Sequence, residues 1–219
     1  MYGRRLGDRV LSFGHEGLLY RRSFVMYDRQ THSLWVHTMA QAVKGPLRGT
    51  RLPILPSSLV PWSAWRAAHP DTLVLAGQPA RGFMGRFDAA RAPERYGLSL
   101  QPRDAPARLY PYRALQKRPV VNDRWHDRPL VVVFDPATSA AAVFDRTVGG
   151  RTLHFAALPA DRDGRARMRD TETGSVWLRL SGVCVSGPRA GQHLRPVPAI
   201  PWRTDRWAAF FPNGSVFSP

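Results

Sequence analysis

Chemistry in this chain of 219 residues would have to come from a short roster of side chains. His15 and Glu16 stand between Gly14 and Gly17, and His37 follows later. Two imidazoles and a carboxylate can hold zinc, and flanking glycines let a backbone come close to a bound group. If residues 9–20 and 33–37 formed neighbouring strands, the three would converge. His15, Glu16 and His37 are therefore the candidate metal ligands. No fixed motif spacing supports them, and the competing reading makes all three exposed strand and turn residues. His126 and Asp127 form a second pair, in a stretch that reads as a polar hairpin loop; adjacent strand residues point apart, which argues against a catalytic dyad. The single cysteine, Cys184, excludes an internal disulfide and a thiolate cage, and its apolar surroundings read as core. No Ser-His-Asp elbow, phosphate-binding Gly-Lys loop or dinucleotide fingerprint is present. No catalytic residue and no cofactor is assigned.

The elements that must position these residues come from an internal repeat. Shifted by about 142 residues, the sequence falls onto itself with almost no gaps. Met26-Tyr27-Asp28 lies over Met168-Arg169-Asp170, and Thr31, Ser33 and Trp35 lie over Thr173, Ser175 and Trp177. Gly45-Pro46 and Gly49 meet Gly187-Pro188 and Gly191; Trp65, Pro70 and Val74 meet Trp207, Pro212 and Val216. Matched Trp, Gly and Pro rarely coincide by chance, so the duplication is firm.

Each copy reads as several short strands, one short helix and a final strand. Thr-X-Ser-X-Trp places a turn before a strand whose Trp enters the core, and recurring Asp28 and Asp170 satisfy turn amides. Trp62 and Trp65 at helical spacing suggest a helix ending before Pro70, followed by a strand over 72–75. Trp207 repeats that helix, with a strand over 215–217. The second copy has more in front: an extended 108–112, a buried strand at 129–134 and its partner at 140–144. The first copy opens partway through the counterpart of that partner strand, so it reads as N-terminally incomplete. Residues 1–76 are thus the first copy, 77–107 a loop-rich linker and 108–219 the second copy. The expected fold is mainly β with short helices and pseudo-twofold internal symmetry.

The net charge is +16, and every basic residue except Lys44 and Lys117 is Arg. The Arg are scattered, without the clustered footprint that marks nucleic-acid binding, and they fit the codon usage of a GC-rich bacterial genome. Nucleic acid is disfavoured as a partner. No apolar run reaches membrane-spanning length, and no signal peptide opens the chain.

The stretches Arg9-Val10-Leu11-Ser12-Phe13-Gly14, Val25-Met26-Tyr27-Asp28-Arg29-Gln30-Thr31, Gly45 to Leu52, Pro119-Val120-Val121-Asn122-Asp123 and Ala142-Val143-Phe144-Asp145-Arg146 resemble the domain of unknown function 3179 family over nearly the whole chain. The resemblance implies an exported or extracytoplasmic setting. Members commonly carry a Cys-Pro-Leu-Cys turn before Phe-Asp-Arg and a His-Glu pair before Asn-Asp. Here those places hold Asp135-Pro136-Ala137-Thr138 and Arg118-Pro119, so that chemistry transfers to no residue. The expectation is a non-catalytic binding or structural module with an unknown protein or small-molecule ligand. The alternative is a metal- or thiol-dependent protein whose reactive site lay ahead of the first copy.

Overall fold

The computed structural model describes residues 1–57, 59–60, 62–69, 71–74, 93–101 and 105–219. These fall into two compact units, Met1–Ser57 and Ser58–Pro219.

The first unit contains β1 (Arg5–Leu6), β2 (Arg9–Val10), β3 (Phe13–Tyr20), β4 (Ser23–Asp28), β5 (Leu34–Val36) and β6 (Gln41–Lys44). β1 and β2 pair as a small hairpin, and the others form an antiparallel sheet in the order β3-β4-β5-β6. The turn between β3 and β4 places Arg21 and Arg22 at φ 48° and 64°. Two left-handed residues match the twist of a tight hairpin but strain any side chain other than Gly, Asn or Asp. Leu11, Trp35, Ala40, Ala42 and Leu52 make the buried core.

The second unit begins with α1 (Trp62–Ala68). There follow β7 (Tyr96–Leu100), β8 (Arg108–Pro111), α2 (Tyr112–Lys117), β9 (Val120–Trp125), β10 (Arg128–Asp135) and β11 (Ala140–Asp145). Next come β12 (Thr147–Val148), β13 (Arg151–Thr152), β14 (Phe155–Leu158), β15 (Arg167–Asp170), β16 (Val176–Leu178) and β17 (Cys184–Ser186). β18 (Arg195–Pro196), β19 (Ile200–Arg203), α3 (Thr204–Phe210) and β20 (Ser215–Val216) complete it. Among the described residues of this unit there are three sheets of four strands, ordered β18-β11-β10-β9, β14-β15-β16-β17 and β19-β7-β8-β20, with β20 parallel to β8, and β12 and β13 pair as a small hairpin.

The apolar run at 129–134 is a strand buried on both faces. Leu130, Val132 and Phe134 join Leu98, Tyr110 and Leu115 in one core. Val131 and Val133 point the other way, toward Phe155, Met168 and Trp177. Alternation along a strand sends successive side chains to opposite faces, so two cores require an unbroken apolar sequence.

The duplication is visible element by element. β1 to β6 correspond to β12 to β17, and the bridge between Tyr2 and Ile54 stands where Phe144 pairs with Pro196. Among the described residues of the first unit, nothing corresponds to β9 and β10. The chain is therefore mainly β, with two copies of one unit.

Three local expectations change. Part of the expected linker is β7, whose Gly97 lies so close to Tyr110 that an added Cβ would meet its carbonyl oxygen at 2.8 Å. The extended stretch at 108–112 ends at Pro111, which keeps an extended backbone at φ -60° and ψ 135°, and the chain turns into α2 at Tyr112. Residues 72–74 form no strand, with Leu73 96% exposed, and Leu75 lies outside the described residues.

Candidate functional site

The recurring polar residues are fully engaged in holding turns. In the second unit Asp170 Oδ1 accepts from the Thr173 amide at 2.6 Å and from its hydroxyl at 2.7 Å. Its Oδ2 accepts from Trp177 Nε1 at 2.8 Å. Ser175 Oγ lies 2.7 Å from the Thr173 hydroxyl and accepts from the Arg189 amide. The first unit repeats this: Asp28 takes the Thr31 amide at 2.6 Å and Trp35 Nε1 at 2.9 Å, and Ser33 takes the Leu47 amide. Burial alone would raise the Asp28 carboxyl, but the bonds from Trp35, Thr31 and Ser33 outweigh it and hold it below the ordinary value. Both Trp are 0% exposed, and each meets a Phe edge-on, Phe13 or Phe155. These acids are structural.

His15 and Glu16 lie on β3, whereas His37 opens the single 3-10 turn that follows β5. β4 runs between β3 and β5, so the premise that His15 and His37 sit on neighbouring strands does not hold. Phe24 of β4 fills the space. Its ring stacks on His15 with centroids 4.6 Å apart and meets His37 edge-on at 6.2 Å. Glu16 follows His15 within the irregular part of the β3–β4 pairing. The Tyr2 and Phe24 rings packed beside His37 take water from one side of its imidazole and, with the nearby N-terminal charge, lower its pKa, although the residue as a whole is exposed. Gly14 serves Tyr27, whose ring would meet an added Cβ at 2.5 Å. Among the described residues, no three His, Cys, Asp or Glu side chains are grouped to hold a metal ion.

His126 and Asp127 form the two-residue turn between β9 and β10, both at φ 42°. Cys184 is 2% exposed, and burial pushes its thiol up. It takes the place of Ala42 in the first copy and belongs to the core.

A different place has the form of a site. In the second unit a cavity of about 230 Å³ is lined by Asp135 and Thr138 from the β10–β11 turn, Asp163 and Arg165 from the loop before β15, and Leu178 and Ser181 from the end of β16. Asp135 is 7% exposed; its carboxylate accepts from the Ala137 amide and from the Thr138 hydroxyl at 2.6 Å. Arg165 is held by Asp161 at 2.7 Å and Asp163 at 3.3 Å, and the lining itself carries two carboxylates, Asp135 and Asp163, against the one guanidinium of Arg165. Arg179, adjacent in sequence to Leu178, is 5% exposed. It donates to the carbonyls of Phe134, Leu158 and Arg167, joining β10, β14 and β15, while its Nε has no partner. Burial lowers its pKa, and Asp135 partly offsets this.

The repeat places Arg179 where the first copy has His37. The guanidinium needs the Phe134 carbonyl of β10, and the first unit supplies no such strand. Spacing gave no sign of this cavity, because its walls come from turns far apart in sequence. The only sequence cue was the polar Asp135-Pro136-Ala137-Thr138 turn between two apolar strands.

No curated protein and no solved structure matches the chain. The family model described as a protein of unknown function, DUF3179, matches residues 1–95 and again 97–219. Two successive matches agree with the duplicated unit, and the chain belongs to the domain of unknown function 3179 family.

Proposed function

We propose that this protein is a non-catalytic binding module whose second unit takes a small amine-bearing ligand. The supporting observation is the cavity at Asp135, Thr138, Asp163 and Ser181, an acidic hollow on a protein of net charge +16. A mixed wall of aliphatic and convergent polar groups is the usual form of a small-ligand site, and this volume lies below the range for drug-sized ligands. Asp135 supplies a carboxylate for an ammonium, the Thr138 and Ser181 hydroxyls orient it, and Leu178 covers its alkyl part. A catalytic reading lacks support: the acids that recur in both copies are consumed by turn amides and indoles.

The test is calorimetric titration with a panel of small primary and quaternary amines, carboxylates and neutral sugars. Saturable binding of an amine, weakened about tenfold or more in Asp135→Asn, supports the reading, since removing a buried charged partner costs at least about 1.5 kcal/mol. An amine panel without binding overturns it. Zinc titration in the same series addresses the metal reading. Stoichiometric zinc lost in His15→Ala/His37→Ala would replace the amine site with one built on His15, Glu16 and His37.

A further inference from the structure

The two copies differ most tellingly at one hairpin tip. In the second unit the loop between β14 and β15 is polar: Asp161 accepts from the amides of Asp163 and Arg165 and closes the turn on itself. The first copy has a tight turn at the same place, reached by a different set of residues. Leu18, Leu19 and Tyr20 end β3, Arg21 and Arg22 make the turn, and Phe24 follows on β4. Leu18 is 53% exposed, Leu19 70%, Tyr20 38% and Phe24 37%. The Arg21 guanidinium lies over the Tyr20 ring at 5.6 Å.

Folding does not require this tip. The same scaffold closes in the second copy with Ala, Asp, Arg and Gly, and the Arg21-Arg22 turn carries two side chains in the left-handed region. Leu19 pairs with Phe24 across the hairpin, and strand alternation puts Leu18 and Tyr20 on the opposite face, so both faces of the tip carry exposed aliphatic and aromatic side chains beside the cationic turn, the mark of an interaction surface. Nine Arg and Lys stand against three Asp and Glu in residues 1–57, so the whole unit is cationic. The partner must offer negative charge with an apolar layer directly beneath it. A lipid surface does so: Arg meets the headgroups while Leu and Phe enter the acyl boundary, and Tyr settles at the interface. Nucleic acid offers the charge but has no use for two exposed leucines.

We infer that the β3–β4 hairpin of the first unit docks this protein onto an anionic membrane surface, with Leu18 and Leu19 inserted and Arg21 and Arg22 at the headgroups. This surface is separate from the cavity of the second unit and does not depend on it.

The test is co-sedimentation of the full chain with vesicles of phosphatidylcholine containing one third phosphatidylglycerol, and with phosphatidylcholine alone. The wild type partitions onto the anionic vesicles, and salt weakens the binding. Leu18→Ser/Leu19→Ser lowers partitioning about tenfold or more, as expected for losing two inserted side chains. Arg21→Glu/Arg22→Glu abolishes the preference for anionic lipid. All four positions lie at an exposed tip, and a thermal melt shows that each variant remains folded. Absence of vesicle binding by the wild type overturns the inference, as does unchanged binding by the leucine variant. Light scattering without lipid covers the other occupant: a dimer that the leucine variant dissociates would assign the tip to a second copy of this chain and overturn the membrane reading.

Discussion

The indole Nε1 of Trp177 donates to Oδ2 of Asp170 across 2.8 Å, and Trp35 and Asp28 repeat the bond at 2.9 Å. Asp, Thr, Ser and Trp are thereby locked into one buried unit in each copy. Asp170→Ala leaves the Trp177 indole and the Thr173 amide without an acceptor. It should cost about 2–4 kcal/mol, read as a lower urea midpoint with an unchanged slope.

The acid limb of stability should carry the signature of Asp28. Its carboxyl titrates lower in the folded chain than in the unfolded one, where the value is about 3.9. Such a group contributes stability above the unfolded value and loses it as pH falls through the folded one. Urea midpoints should therefore fall below about pH 4, and Asp28→Asn should flatten that fall. An equal slope in both proteins would show that Asp28 is not the group responsible.

Gly187 and Gly164 separate strain from collision. Both have positive φ, 94° and 76°, but an added Cβ meets the Ser175 Cα at 2.8 Å only in the first case; Gly164 has nothing within 4 Å. Gly164→Ala should cost about 1 kcal/mol for the left-handed backbone alone. Gly187→Ala should cost clearly more, about 2–4 kcal/mol, because the backbone of Ser175 must also move.

Arg179 and His37 hold the same repeat position with opposite consequences. Arg179→Ala strips donors from three carbonyls and should destabilise the second unit by about 2–4 kcal/mol. His37→Ala, at an exposed place, should fall within about 0.5 kcal/mol of wild type. Chemical denaturation of the two variants compares them directly.

The Cys184 thiol should resist a soluble disulfide reagent in the native protein and react fully in denaturant. It is buried, and burial disfavours the thiolate that reacts. Cys184→Ala should fold, since Ala42 fills the same place beside Trp35 in the first copy.

The repeat, the mainly β class and the turn-forming role of Asp28 and Asp170 were legible in the sequence by itself. They rest on local physics. A turn acid, a left-handed Gly after a strand and a Trp at fixed spacing act within a few residues, so duplication preserves them as a visible pattern. The continuous apolar run at 129–134 likewise announced a strand with two buried faces.

Only the tertiary structure decided where chemistry could gather. His15 and His37 lie near each other in sequence, yet β4 places Phe24 between them. The cavity joins turns at 135–138, 161–166 and 178–181, which no spacing rule connects. β7 was hidden in a Gly- and Pro-rich stretch because its partners, β8 and β19, are supplied from elsewhere in the chain. Position 37 and position 179 look equivalent in the repeat, but burial separates them: β10 covers one and has no counterpart at the other. Strand order and burial are long-range properties, and for this protein they determine which polar groups are spent on the fold and which face a ligand.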